Sequence, residues 1–296
     1  MRIVSLLPSA TEIVFALGRG DDLVGVTFEC DFPPEARSRR VVSTSALPEG
    51  LTPAEIDAVV TERIAAGDDL YRLDRDALAD LDADLVLTQD LCAVCAVDVS
   101  EVDDALTFLG CRAEVLTLDP RSLSEVLTSI STVGERLGVV DAARSLTESL
   151  QARIDALDAT LGDASRPSVL VLEWTDPPFS AGHWVPDLVS AGRGTPVLAD
   201  PGRDSRRLDW QVVADARAGV VIVAPCGYHL DASADLGAAL LERGAVPADA
   251  EVWAVDADSY FVRPGPRVVG GAEIVARILH PGLVGAPEPA TARRIH

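Results

Sequence analysis

The run Thr88-Gln89-Asp90-Leu91-Cys92-Ala93-Val94-Cys95 holds the side chains best equipped for chemistry in this chain of 296 residues. It follows the apolar stretch Ala83-Asp84-Leu85-Val86-Leu87, a pattern that predicts a strand ending in a polar loop with a Cys-x-x-Cys pair. In an open α/β sheet, ligands gather at the carboxyl ends of strands, which aims both thiols at a binding crevice. Cys92 and Cys95, with Cys30 and Glu29 from another strand's exit loop and Glu173 or His183 further on, make a soft donor set suited to zinc or iron. An open position on such a metal permits hydrolytic or redox chemistry. The same pair between a strand and a helix suits dithiol exchange. The plain alternative is two small buried thiols, since free cysteines are often core residues and no second pair stands at zinc-finger spacing. A serine hydrolase finds no support, because the chain has no Gly-x-Ser-x-Gly elbow.

Charge excludes several partners. The chain carries 47 acidic and 25 basic residues, a formal net charge of -22, and every basic residue is Arg. Such a field repels phosphate backbones and anionic membranes, and no basic patch offsets it, so nucleic-acid binding is excluded as an expectation. An acidic surface without lysine fits work in concentrated salt, where screening removes self-repulsion. Genomic drift towards Arg, Ala and Asp gives the same composition. No secretory leader, no lipidated cysteine near the start and no span of about 20 apolar residues is visible, so the expected location is cytosolic, without membrane insertion. Five cysteines, an odd number, fit reduced thiols in that compartment.

The elements that must position these residues alternate strand and helix. Arg2 to Leu7 reads as a first strand, followed by a helix that Ser9 and Glu12 are placed to cap as a box. Leu23 to Thr27 is the second strand, ending in the loop Phe28-Glu29-Cys30-Asp31-Phe32-Pro33-Pro34. Ser43 to Gly50 reads as loop, Thr52 as the cap of a helix reaching about Ala66, and Leu73 to Leu81 as a short helix. Val102 to Leu109 is a helix and Glu114 to Leu118 a strand. From Ser122 to about Leu161 apolar residues recur at helical spacing with one break at Gly138, giving two consecutive helices. Alternation then resumes: strands at 168–172, 196–198, 220–224 and 251–255, and helices at 185–191, 210–216, 236–243 and 274–279. The expected fold is α/β: two Rossmann-like lobes with parallel sheets, 1–118 and 164–286, joined by linker helices at 119–163, with a disordered tail at 287–296.

Several motifs carry a resemblance. The opening run Val4-Ser5-Leu6-Leu7-Pro8-Ser9-Ala10-Thr11-Glu12-Ile13-Val14-Phe15-Ala16-Leu17-Gly18 resembles the cobalamin-binding members of the iron-siderophore and vitamin B12 substrate-binding superfamily, the helical-linker class. So do Cys30-Asp31-Phe32-Pro33, Ala83-Asp84-Leu85-Val86, Asp176-Pro177-Pro178-Phe179 with Gly182, and Arg263-Pro264-Gly265-Pro266-Arg267. The resemblance covers roughly residues 2 to 282. It implies a ligand held between the lobes by loop residues, here Phe28, Gln89, Trp174, Phe179, Trp184, Tyr228, Tyr260 and Phe261. Flat aromatic walls suit a large macrocycle such as cobalamin or another corrinoid, with a few polar groups orienting its amide rim. It also implies a binding protein, not an enzyme, that usually holds the intact cofactor without a protein ligand, although His183 or His229 offers an imidazole to the cobalt.

Exported relatives carry one docking carboxylate per lobe for a transporter. Alignment places Asp76 at the first position and Gln211 at the second, which puts transporter docking in doubt. The Thr-Gln-Asp-Leu-Cys-x-Val-Cys run resembles a leaderless branch of the same family.

If the charge pattern is an adaptation to salt, the melting temperature rises steadily from dilute to molar KCl. A flat profile across that series ends the halophile reading.

Overall fold

The computed structural model describes residues 1–89 and 113–296. Cys92, Cys95 and the expected helix at 102–109 lie outside the described residues. Contacts divide the chain into two units, one formed by Met1–Pro120 with Thr128–Thr147 and the other by Arg121–Leu127 with Glu148–His296. The chain passes between them three times: once at Pro120–Arg121, and twice inside the two consecutive helices, Leu123–Arg136 and Val140–Leu161. Those helices, expected as a separate linker at 119–163, are thus shared between the units. Gly138 takes a left-handed φ of 67° between them, the conformation that ends a helix at least cost.

In the first unit, strands β1 (Ile3–Ser5), β2 (Leu23–Thr27), β3 (Arg40–Ser45), β4 (Tyr71–Leu73), β5 (Leu85–Thr88) and β6 (Glu114–Thr117) form one sheet in the order β4-β3-β2-β1-β5-β6. All neighbours are parallel except β4, which runs antiparallel to β3. Ile3, Val4, Val86 and Leu87 are fully buried, as expected of central parallel strands covered on both faces. Each such side chain contributes about 1.5–3 kcal/mol by leaving water.

Two expectations fail here. The first helix, Pro8–Ala16, has Leu7 at its N-cap and no side-chain cap, so the Ser9/Glu12 box does not form. Pro8 starts the helix two residues early because its missing N–H needs no partner there, and Glu12 is buried instead. The loop expected from Ser43 begins as strand β3, where the buried Ser43 hydroxyl donates to Thr27 Oγ1 at 2.8 Å. Its small polar residues lack the apolar alternation that marks a strand. By contrast, Thr52 and Glu55 do form the capping box of the helix Pro53–Ala66.

In the second unit, β7 (Ser168–Thr175), β8 (Pro178–Ser180), β10 (Thr195–Pro196), β12 (Val220–Val223), β13 (Glu251–Val255) and β14 (Ala292–Arg294) build a sheet ordered β10-β7-β12-β13-β14, with β8 added antiparallel on β7. A separate pair joins β9 (Gly182–His183) to β11 (Asp200–Pro201). The core strand β12 is buried throughout and lies between β7 and β13, parallel to both. Two helices of this unit begin earlier than the sequence pattern indicates, at Leu230–Glu242 and Val268–Leu279. In the latter, Gly270 and Gly271 hide the periodicity but are needed for packing: a Cβ on Gly271 would stand 2.4 Å from the Tyr260 carbonyl oxygen.

The tail expected to be disordered is ordered. β14 pairs antiparallel with β13, and Ile295 packs against Leu230, Ala234 and Ala254. Among the described residues no helix is long and apolar enough to cross a membrane.

Removing residues 291–296 therefore exposes the edge of β13 and lowers the melting temperature, and I295A alone costs about 1–2 kcal/mol for a half-buried side chain. Denaturant titration of both variants checks this; unchanged midpoints would show that the tail does not stabilise the sheet.

Candidate functional site

The segment after β7 is built by backbone geometry. β7 turns back through Asp176-Pro177 into β8, and Glu173 Oε1 accepts a hydrogen bond from the Gly182 amide at 2.9 Å. Gly182 admits no side chain, since a Cβ would lie 2.4 Å from Ser205 N and 2.7 Å from Arg203 O. His183 follows in the left-handed region with φ 47°, a conformation tolerated more easily by His than by most side chains. Backbone bonds from His183 N to Arg203 O and from Gly202 N to His183 O hold it there. Its Nε2 lies 3.1 Å from Asp204 Oδ1, which Arg121 also contacts at 3.2 Å. Burial pushes the His183 imidazole below its ordinary pKa, and the hydrogen bond to Asp204 only partly opposes this.

Of the expected aromatic residues, Trp174 and Tyr228 come together with ring centroids 5.8 Å apart and planes at 60°. Trp174 Nε1 donates to Asp176 O at 3.1 Å, which fixes the indole while leaving it half-buried. Burial pushes the Tyr228 phenol above its ordinary pKa, with a smaller push from Cys226. Phe179 is half-buried under the Arg207 guanidinium at 5.9 Å, and Tyr260 lies under Arg267 at the same distance. Trp184 and Phe261 correct the expectation. Both are buried, at 6% and 0% exposure, and Trp184 Nε1 donates to Phe261 O at 2.7 Å. They join two loops internally and present no open wall.

The exits of β12 and β13 bring together a charged cluster in which the sequence had pointed to His229 but not to its aspartate partners. His229 Nδ1 lies 2.9 Å from Asp256 Oδ1, and its Nε2 lies 3.6 Å from Asp258 Oδ2. Asp258 in turn holds Arg263 at 2.5 Å, with both side chains about nine-tenths buried. Asp256 caps the short helix Ala257–Tyr260 by accepting from Ser259 N at 3.2 Å, and Asp258 N donates to Tyr228 O at 3.1 Å. The sequence signal was the Asp-x-Asp directly after a buried strand, together with Arg263, which entered only through the family motif.

In the first unit, Phe28 is exposed and tilts against Tyr71 at 6.3 Å. Tyr71 OH donates to Glu29 Oε2 at 3.3 Å. Cys30 is buried, with its Sγ 3.0 Å from Thr11 Oγ1. Gln89 is buried at the end of β5. Asp76 is exposed, and Gln211 Nε2 donates to Asp215 Oδ2 at 2.9 Å.

Two α/β units whose sheet exits carry aromatic and charged loops define a ligand-binding protein of the substrate-binding type. The chain belongs to the periplasmic binding protein family, whose model matches residues 3–242. It is 25% identical to an uncharacterised ABC transporter substrate-binding lipoprotein of Bacillus subtilis, over 95% of this chain and 80% of that one. It is also 25% identical to a cobalamin-binding protein of Halobacterium salinarum, over 94% of this chain and 69% of that protein. Its fold matches the periplasmic vitamin B12 binding protein of Vibrio cholerae with a TM-score of 0.65 at 19% identity, covering 94% of this chain and 96% of the other. A periplasmic heme binding protein from Pseudomonas aeruginosa matches with a TM-score of 0.71 at 18% identity, covering 98% and 96%.

Because His183 is held neutral in the folded state, it supports stability above the unfolded imidazole value of about 6.5. That contribution is lost as pH falls from there through the depressed folded value. Comparing melting temperatures of wild type and H183N between pH 8 and 5 should show a steeper acid loss in the wild type; asparagine tolerates the left-handed backbone. Parallel profiles would show that His183 carries no linkage.

Proposed function

We propose that this protein binds a corrinoid of the cobalamin type. The observation that carries the reading is the Trp174–Tyr228 ring pair beside the buried Asp258–Arg263 charges, all at the strand exits of one unit. Flat half-buried rings suit the face of a large macrocycle, and fixed donors and acceptors suit a rim of amides. The names of the Halobacterium salinarum cobalamin-binding protein and of the Vibrio cholerae vitamin B12-binding protein, 24% identical over 94% of this chain, support the same choice. Haem or another iron chelate is the neighbouring alternative, given the name of the Pseudomonas aeruginosa protein.

The second docking position holds Gln211 where exported relatives have a carboxylate, so the proposal stops at ligand capture. Cytosolic residence belongs to the proposal too, supported by the odd number of cysteines, five, which fits reduced thiols. Cell fractionation decides it.

Calorimetric and spectral titration with cyanocobalamin and with haemin tests the ligand class. Saturable binding of cyanocobalamin is expected, weakened about tenfold (about 1.4 kcal/mol) in W174A and in Y228A. No heat from cyanocobalamin at high micromolar concentration overturns the corrinoid reading, and haemin binding alone would replace it with the iron-chelate one.

A further inference from the structure

Within the second unit, the antiparallel pairing of β7 with β8 sets Trp174 directly opposite Phe179, and an isolated antiparallel bridge sets Phe179 opposite Arg207. Directly opposite residues of antiparallel segments put their side chains on one face, so Trp174, Phe179 and Arg207 form a row across three stretches of chain. The side-chain contacts agree with that register. The Arg207 guanidinium lies 5.9 Å over the Phe179 ring, and Tyr228 extends the other end of the row by tilting against Trp174. Successive residues of an extended segment alternate between faces. Arg206 accordingly turns the other way, where its Nε donates to Asp200 Oδ2 at 2.7 Å and Ser180 donates to the same oxygen at 3.4 Å. Of two neighbouring arginines, one is set on a carboxylate and the other at the end of an aromatic row.

That row changes character along its length. Three rings suit the flat face of a macrocycle, and the fourth member is an exposed cation. A guanidinium carries five N–H donors in one plane, so it serves several acceptors at once, and the ring beneath it restricts where it can go. In a chain with a net charge of -22, most of the surface repels an anionic group. A cation fixed at the end of the row marks the place where a negative charge on the ligand is welcome. We propose that Arg207 recognises a phosphate oxygen of the ligand: the phosphodiester that ties the nucleotide tail of a complete corrinoid to its ring periphery. The protein then distinguishes a complete corrinoid from one without its tail. The inference rests on the corrinoid reading above. Cyanocobalamin and dicyanocobinamide are both neutral overall, because the second cyanide of the latter replaces the phosphodiester charge of the former. The long-range field of the protein acts on both alike, and the difference between them is local.

The test is calorimetric titration of the full chain with cyanocobalamin, dicyanocobinamide and dicyanocobinamide phosphate, the last carrying the phosphate without the nucleoside. Wild type should bind the two phosphate-bearing corrinoids about tenfold more tightly than dicyanocobinamide, the low end for a charge-assisted hydrogen bond because the site is exposed. In R207Q those two affinities fall to that of dicyanocobinamide, which itself does not change. R206Q removes the same charge from the opposite face and keeps the wild-type order, which separates a contact from the overall field. Melting curves confirm that both variants fold, as expected for exposed side chains. Equal binding of all three ligands by wild type, or equal weakening of all three in R207Q, overturns the phosphate contact and leaves the corrinoid reading standing. A preference that survives in R207Q assigns the phosphate to another group, and one that is lost in R206Q as well assigns it to overall charge; either also overturns the contact. Absence of binding for all three overturns the functional reading, and this inference with it.

Discussion

A guanidinium and a carboxylate that have both left water cannot stand singly, and the Asp258–Arg263 pair is where this protein accepts that constraint. Losing one partner of such a pair costs about 3–5 kcal/mol, whereas replacing both with apolar groups of similar shape is often neutral or better. Its value is therefore positional more than energetic. The pair fixes a charge of each sign beyond β13, and the backbone bond from Asp258 N to Tyr228 O ties that loop to the exit of β12. Tyr228 carries the constraint on to Trp174 and thus to β7. Three consecutive strand exits are coupled by one ion pair, one amide and one ring contact.

The second support is uncharged. Gly182 brings its backbone against Arg203 and Ser205 more closely than any side chain allows, and Glu173 receives the amide that this approach would otherwise strand. The cost is a left-handed His183, offset by the backbone bonds of the β9–β11 pair. Precision here comes from satisfied backbone groups. The loop can therefore be polar and still present rings such as Phe179 and Trp174 at fixed places.

The sequence revealed most about the sheets and least about what lies beyond them. Buried parallel strands such as Val220 to Val223 are continuous apolar runs, readable without any partner. Strand β3 was hidden because Ser43 and Thr44 earn their place by hydrogen bonding and edge pairing, which leave no hydrophobic pattern. β14 was hidden because two of its three residues are exposed arginines, with Ile295 supplying the packing. Among the site residues, an aromatic side chain has the same letter whether it lines a surface or joins two buried loops. Trp174 and Trp184 are ten residues apart and looked equivalent; only three-dimensional contacts give one an open ring and the other a carbonyl partner. Asp256 and Asp258 carry the converse lesson, because in a chain this acidic two more aspartates draw no attention until a helix cap and a buried arginine single them out.

That acidity also bears on ligand choice. A net charge of -22 sets up a field that disfavours an anionic ligand at low ionic strength. Haem bears two carboxylates, whereas a corrinoid presents neutral amides around a cationic cobalt, so in dilute buffer the global field favours the corrinoid. In molar salt the Debye length shrinks to about 3 Å and that preference fades. What remains is local, because charges removed from solvent are screened far less: the Asp258–Arg263 pair acts at contact distance in dilute and in molar salt alike. At that ionic strength overall charge cannot select a ligand, and selectivity rests on short contacts of this kind.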